Sequence, residues 1–296
     1  MTRFFPILFI ILWSSAFITS KPITEDASPF AALCFRFTFV TLGFAFYSIF
    51  TNQKLFSKFD KILKAMVSGI LFHGLYLGGV FYSISKGFPV GITALIVCLQ
   101  PILTAILAGP VLNEVVTWRQ WIGIFLGFCG TLLVLGFDVG DGLPTIGIVA
   151  SFIALAAVTT GTLWQKKLSE DLPLSVSNTY QALSASCFHL ILALSFEDYF
   201  INYSLGFVLS MGWQILAVSF GAFTILMLLI KNGSASKTAT LFFLVPPVSV
   251  LMAWFFLNET ITMTDLIGLL IATLGVYIAT RTVSYTHLRA HETLLY

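Results

Sequence analysis

Charge is what this chain has least of. Only 9% of its 296 residues are Asp, Glu, Lys or Arg, against 58% hydrophobic and a mean hydropathy of +0.96. A soluble domain of this size needs far more polar surface, so the composition specifies a membrane protein. Cysteine is sparse: Cys34, Cys98, Cys129 and Cys187 all fall in apolar runs without CxxC spacing, which excludes a disulfide framework and reads as small buried hydrophobes. No H-E-x-x-H, G-x-S-x-G or phosphate-binding Gly-Lys loop occurs, so neither a metal, a cofactor nor a catalytic residue is expected. A basic stripe is also missing, and nucleic acid is not an expected partner.

Apolar stretches long enough to cross about 30 Å of hydrocarbon as helices lie at about 4–20, 30–50, 64–84, 89–111, 119–136, 146–165, 175–195, 207–230, 235–257 and 264–282. Helices are forced, because an open strand edge in lipid leaves backbone groups unpaired. Arg3 and the apolar run behind it resemble a secretory signal, but Lys21-Pro22-Ile23 offers no small-residue cleavage site, so this is read as the first span. Residues 284–296, including His287 and His291, break with the preceding character and read as a non-native tail translated from adapter or vector sequence.

With alternating spans, one side carries Arg3, Lys54, Lys58, Lys61, Lys64, Arg119, Lys166, Lys167, Lys231, Lys237 and Arg281, and the other only Lys21 and Lys86. The positive-inside rule then puts both termini in the cytoplasm, and the plasma membrane, the inner membrane of a bacterium, is the expected location. The acidic pairs Asp138/Asp141 and Glu197/Asp198 fall outside and carry no topological weight.

No Asp or Glu falls inside any span, which disfavours lipophilic cations, and no Lys or Arg cluster sits at mid-depth to hold phosphates. Neutral or zwitterionic solutes remain as the expected ligands.

An offset of 145 residues lays the second half over the first: Leu112-Asn113-Glu114 on Leu257-Asn258-Glu259, and Thr93, Pro101, Thr117, Gly123 and Gly130 on Thr238, Pro246, Thr262, Gly268 and Gly275. Each copy, 4–136 and 146–282, holds five spans. The expected fold is therefore all-α, ten transmembrane helices in two inverted five-helix repeats around a central cavity, a plan common to secondary transporters.

Several residues stand out within that plan. Span 4 is interrupted by Gln100-Pro101 and span 9 by Pro246-Pro247 at matching depth, where proline removes a donor and frees carbonyls. The spacing of Gly69, Phe72, His73, Tyr76 and Val80 puts them on one face of span 3. His73 at that depth is either a ligand or proton carrier, or a neutral ring bonded to a neighbouring helix, and His189 in span 7 poses the same choice. Arg36, which the offset pairs with Gln181, either snorkels to the interface or meets a substrate carboxylate. Trp13-Ser14 lies at the centre of span 1 and reads as cavity wall, whereas Trp164 suits an interfacial belt. Gly123, Gly127 and Gly130, with Gly268, Ala272 and Gly275, form small-residue ridges for close packing within a monomer or a homodimer. Glu114 and Glu259 are expected to tie turns, ahead of a capping-box spacing at Thr117 and a looser one at Thr262.

The doubled pattern Thr-Ala, Pro, Asn-Glu-x-x-Thr, Gly, with Trp13-Ser14 and Arg36-Phe37, resembles the EamA repeat of the drug/metabolite transporter superfamily over about residues 4 to 282. Ser14 stands where that family commonly has Gly, as do Asn113 and Asn258. The resemblance implies a ten-helix basket whose cavity is lined by spans 1, 3, 4, 6, 8 and 9. It carries a site over to Trp13, His73, Tyr76, Gln100, Pro101 and Pro246. It also implies alternating-access transport of amino acids and related metabolites, often outward, though some members import them; His73, if it carries protons, makes them a candidate coupling ion. The competing expectations are a membrane enzyme acting on lipids and a receptor or scaffold subunit without flux.

Overall fold

The computed structural model describes residues 4–136, 143–168, 172–257 and 260–280. Arg3, Asp138, Asp141, Asn258, Glu259, Arg281 and the tail at 284–296 lie outside the described residues. Ten helices among the described residues are long and apolar enough to cross a membrane: α1 (Phe5–Asp26), α2 (Pro29–Phe50), α3 (Phe59–Ser85), α4 (Ile92–Leu112), α5 (Trp118–Leu135), α6 (Thr145–Leu168), α7 (Leu174–Phe196), α8 (Leu205–Asn232), α9 (Ala235–Phe256) and α10 (Met263–Thr280). All ten expected spans are present. The first runs further than its apolar stretch, through Pro22 to Asp26, because one proline costs a single backbone bond and α1 remains packed on α8 and α9 at either side. Helix α1 begins at what is here the proximal face and ends at the distal face.

The helix pairs in contact exchange with one another when each helix is replaced by the one five places along. Helix α5 packs along α10 and α2 along α7, α3 against α6 answers α8 against α1, and α4 against α6 answers α9 against α1. The glycine ridges make the closest of these contacts. A β-carbon on Gly123 would lie 2.5 Å from the Ala279 nitrogen, and one on Gly130 or Gly275 would collide with backbone of Ala272 or Gly127. Both ridges are thus consumed inside one chain, where small residues let two backbones approach without lipid between them.

Side chains also tie down helix ends, within the second half at Lys166 and between the halves at Glu114, Asp26 and Glu197. At the proximal face, Lys166 in α6 donates to the Ile230, Lys231 and Gly233 carbonyls at 3.0, 3.1 and 2.5 Å, placing a cation where the C-terminus of α8 has unpaired acceptors. Glu114 follows Asn113, whose φ of 56° ends α4 in the left-handed region; Gly enters that region freely and Asn tolerates it, which explains Asn at this position. The Glu114 carboxylate then accepts from Ser234 and the Ala235 backbone at 2.6 and 2.9 Å. It ties a turn as expected, but one belonging to α9. At the distal face, Ala27 pairs with Ile201 in an isolated bridge, and Asp26 accepts from Asn202 and Ser204. Glu197 accepts from the Phe30 N–H at 3.0 Å, and partial burial raises its carboxyl above its ordinary value by desolvation, against the hydrogen bonds that favour the anion.

The capping box at Thr117 and Gln120 is present, and Thr262 with Asp265 makes the same reciprocal contact. Trp164 is partly exposed at the proximal surface and donates to the Lys64 carbonyl. Of the cysteines, Cys187 is exposed rather than buried, because its helix turns that face outward alongside exposed Leu183, Leu190 and Leu194. Such outward apolar faces are costly in water and are what lipid covers.

Candidate functional site

The two proline positions do different things to their helices. In α4 the first arm, Val90–Val97, closes with a tight turn, Cys98 donating to Ala94 and Leu99 to Ile96, before the helix restarts at Gln100. Pro101 has no N–H to give to the Val97 carbonyl, so the turn falls where that acceptor loses its donor. In α9 the opening turn Ala235–Thr240 passes into a 3-10 segment, Leu241–Leu244, ahead of Pro246. The Phe243 carbonyl, which Pro247 leaves without its helical donor, is taken by Thr131 Oγ1 of α5 at 3.0 Å. Ser14 of α1 donates to the Val245 carbonyl, and Ser249 returns a bond to the Ser14 carbonyl.

Helices α3 and α8 carry a second irregularity that periodicity did not reveal. Each widens into a π-helical stretch, Ile70–Leu75 in α3 and Gln214–Ala222 in α8, nearly superimposed by the 145-residue offset. Such stretches occur frequently at functional sites because they re-aim side chains without breaking the helix. Here they present His73 from one half and Gln214, Val218 and Ser219 from the other.

Between these four helices and α1 lies a central cavity of two adjoining lobes. The first is walled by Trp13, Phe17, Tyr76, Val97, Gln100 and Pro246 among others. The second shares Trp13, Phe17, Tyr76 and Val80 with it and adds Arg36, His73, Gln214 and Ser219. The centre of a water molecule has about 70 Å³ available in the first and about 80 Å³ in the second. A single water needs about 10 to 15 Å³ on that measure, so each lobe holds several. Its lining extends distally to Phe17, Ser20 and Ile84. Proximally the bundle is filled: Phe9, Leu226, Met227, Ile230 and Phe243 are fully buried in one core, and Phe9, Trp13 and Phe242 form a ring triangle with centroids 5.3 to 5.4 Å apart.

The polar groups are few and unevenly satisfied. Arg36, 8% exposed, donates from Nε to Ser219 Oγ at 2.9 Å and lies 5.5 Å from the Phe37 ring centre. Its side chain therefore points across the bundle to α8 rather than toward an interface. It makes no ion pair among the described residues. Its counterpart by the offset, Gln181, is instead closed into a network with Gln165, Ser177 and Ser68. The His73 ring packs against Phe37 and Phe223, centroids 4.7 and 4.2 Å away, while its backbone carbonyl bonds His189 Nε2 at 3.0 Å. His189 is buried behind it, stacked between Phe30 and Phe37, and lines neither lobe. Gln100 donates to Thr104 and Thr162, leaving its Oε1 without a partner among the described residues.

The cavity brings together Trp13, Arg36, His73, Tyr76, Gln100 and Pro246. Ser14 and Pro101, expected beside them, stand behind the wall: one ties α1 to α9 and the other shapes the α4 turn. Gln214 and Ser219 escaped the sequence reading. Both are small polar interruptions in the apolar run of α8, and their role depends on the π-helical register, which no local pattern announces.

This is a ten-helix membrane protein with a cavity at the junction of its two halves. Residues 3–136 and 145–281 each match the EamA-like transporter family, and the chain belongs to that family. It is similar to the uncharacterized transporter YvbV of Bacillus subtilis, 27% identical over 71% of this chain and 68% of that one. A probable amino-acid metabolite efflux pump of Salmonella typhimurium is 23% identical over 93% of both. An S-adenosylmethionine uptake transporter of Rickettsia prowazekii is 26% identical over 82% of this chain and 79% of its own. A solved structure titled "Crystal structure of protein" superposes with a TM-score of 0.79 at 17% identity, over 94% of this chain and 97% of that one, and shares the fold.

Proposed function

We propose that this protein is a secondary transporter that exports small neutral or zwitterionic metabolites, amino acids or their derivatives first, across the plasma membrane by alternating access. The observation that carries this reading is the cavity's asymmetry: walls from both halves, a distal extension and a packed aromatic floor on the proximal side. In an inverted repeat, exchange of the two halves' conformations would move the floor to the other face. The exchangeable helix contacts support that arrangement, and the described basic residues at the proximal face support a cytoplasmic assignment for it. Relatives with transporter names favour a carrier over an enzyme, and one of them is named for efflux of amino-acid metabolites.

The test is flux in liposomes reconstituted with the purified chain, across a panel of radiolabelled amino acids under an imposed solute gradient. Saturable uptake of at least one neutral member is expected. Folded protein that moves none of them rejects the reading.

A further inference from the structure

We infer that the second lobe holds the charged end of a free α-amino acid, with Arg36 receiving the carboxylate and Gln214 the ammonium, while an apolar side chain occupies the first lobe. This deepens the transport reading and rests on it for biological sense, but its chemistry stands on separate observations.

Arg36 is a buried cation without an acid to balance it among the described residues, and its only hydrogen bond there goes from Nε to Ser219. The terminal guanidinium nitrogens are thus uncommitted on a lobe they help to wall. A buried, unpaired charge is among the costliest arrangements a protein retains, and a carboxylate offers it a planar, two-point partner.

Gln214, 2% exposed, lines the same lobe. Its orientation is fixed, since Nε2 donates to the Ala16 carbonyl at 2.9 Å, an atom that only accepts. The remaining atom, Oε1, is buried and has no hydrogen-bond partner among the described residues. An orphan acceptor and an orphan cation from residues that wall one lobe match the two ends of a zwitterion: the ammonium N–H donates to the amide oxygen, and the carboxylate accepts from the guanidinium.

Trp13, Phe17, Tyr76 and Val80 are common to both lobes, so they flank the point where a side chain would leave the α-carbon. Beyond them Val97, Val158 and Phe242 offer apolar surface. Leucine-like and phenylalanine-like side chains fit this wall, while a second carboxylate or an ammonium there has no counter-charge from any lining residue.

Calorimetric binding to the purified full-length protein, with leucine, leucinamide, 4-methylpentanoate and glutamate as probes, tests the assignment. Leucine is expected to bind at least about tenfold more tightly than each of the others, each lacking a charged hydrogen bond or adding an unpaired one. Arg36→Gln should bring leucine level with leucinamide, and Gln214→Leu should bring it level with 4-methylpentanoate. If Arg36→Gln fails to fold, Arg36→Lys and the wild-type ligand series decide. Leucinamide binding as well as leucine to wild type overturns the proposal, as does a folded Arg36→Gln that keeps the preference or a folded wild type that does not bind leucine. Leucine binding without liposome flux rejects the carrier and upholds this site; saturable flux confined to solutes without a carboxylate does the reverse.

Discussion

Glu114 Oε1 accepts the backbone N–H of Ala235 at 2.9 Å, so the residue just past the end of α4 in one half caps the helix that opens the proximal end of α9 in the other. Ser234 and the Ser236 N–H complete the cap. A carboxylate there satisfies donors that otherwise lack partners and sits at the positive end of a helix. Glu114→Ala should lower stability by about 1 to 2 kcal/mol. Glu114→Gln, which keeps an acceptor without the charge, should lose less. Thermal unfolding in detergent orders the three proteins.

The α5 and α10 ridges touch through backbone, which neither helix can move cheaply. Gly275→Ala and Gly130→Ala should each destabilise by about 1 to 3 kcal/mol through overpacking, since the new methyl meets Gly127 or Ala272 backbone. Gly212→Ala is the control: nothing lies within 4 Å of its added carbon, and no loss is expected in the same assay.

Trp13 belongs to both lobes and to the aromatic floor. Trp13→Ala should shift selectivity toward bulkier apolar solutes, because the vacated ring volume opens on the lobes. Competition by a series of increasing side-chain size against a transported probe reads this directly. An unchanged size order would place the wall elsewhere.

The imidazole of His73 faces a lobe and makes no hydrogen bond among the described residues. If protons drive transport through it, His73→Ala should abolish accumulation against a gradient while leaving counterflow exchange intact. His189→Ala, outside the lining, should act through packing and lower stability. Parallel accumulation and exchange assays separate the two residues, and equal loss of both activities in His73→Ala rejects the proton role.

Opposed repeats predict the side on which each loop lies. In a cysteine-free background, single cysteines at Asn113 and Asn258 should react with an impermeant maleimide from opposite faces of the membrane. Labelling of both from one face contradicts the inverted arrangement.

Much of the architecture was legible in the residues themselves. Hydrophobic length located all ten helices, since the bilayer thickness fixes how many residues a span requires. The doubled motif led to the family, and proline marked where α4 and α9 lose regularity. Trp13, Tyr76 and Gln100 were recognisable as cavity candidates, Trp13 because it lies too deep for an interfacial belt, Tyr76 because it shares a face with His73, and Gln100 because an amide at mid-depth must face protein or water. Ser14 shows the limit: a hydroxyl at the same depth is satisfied equally well by a neighbouring carbonyl, and only the placement of Val245 decides between them.

Sequence by itself determined the solvent, the number of crossings and the duplication, because each follows from local composition and spacing along one chain. Tertiary structure alone decided that Arg36 turns toward Ser219, that Glu114 serves α9, and that Gln214 joins the lining. Those outcomes depend on how two halves separated by more than a hundred residues meet and on a π-helical register that rotates side chains out of the ordinary helical phase. Direction and distance between remote groups are properties of packing, and no periodicity within a single span encodes them.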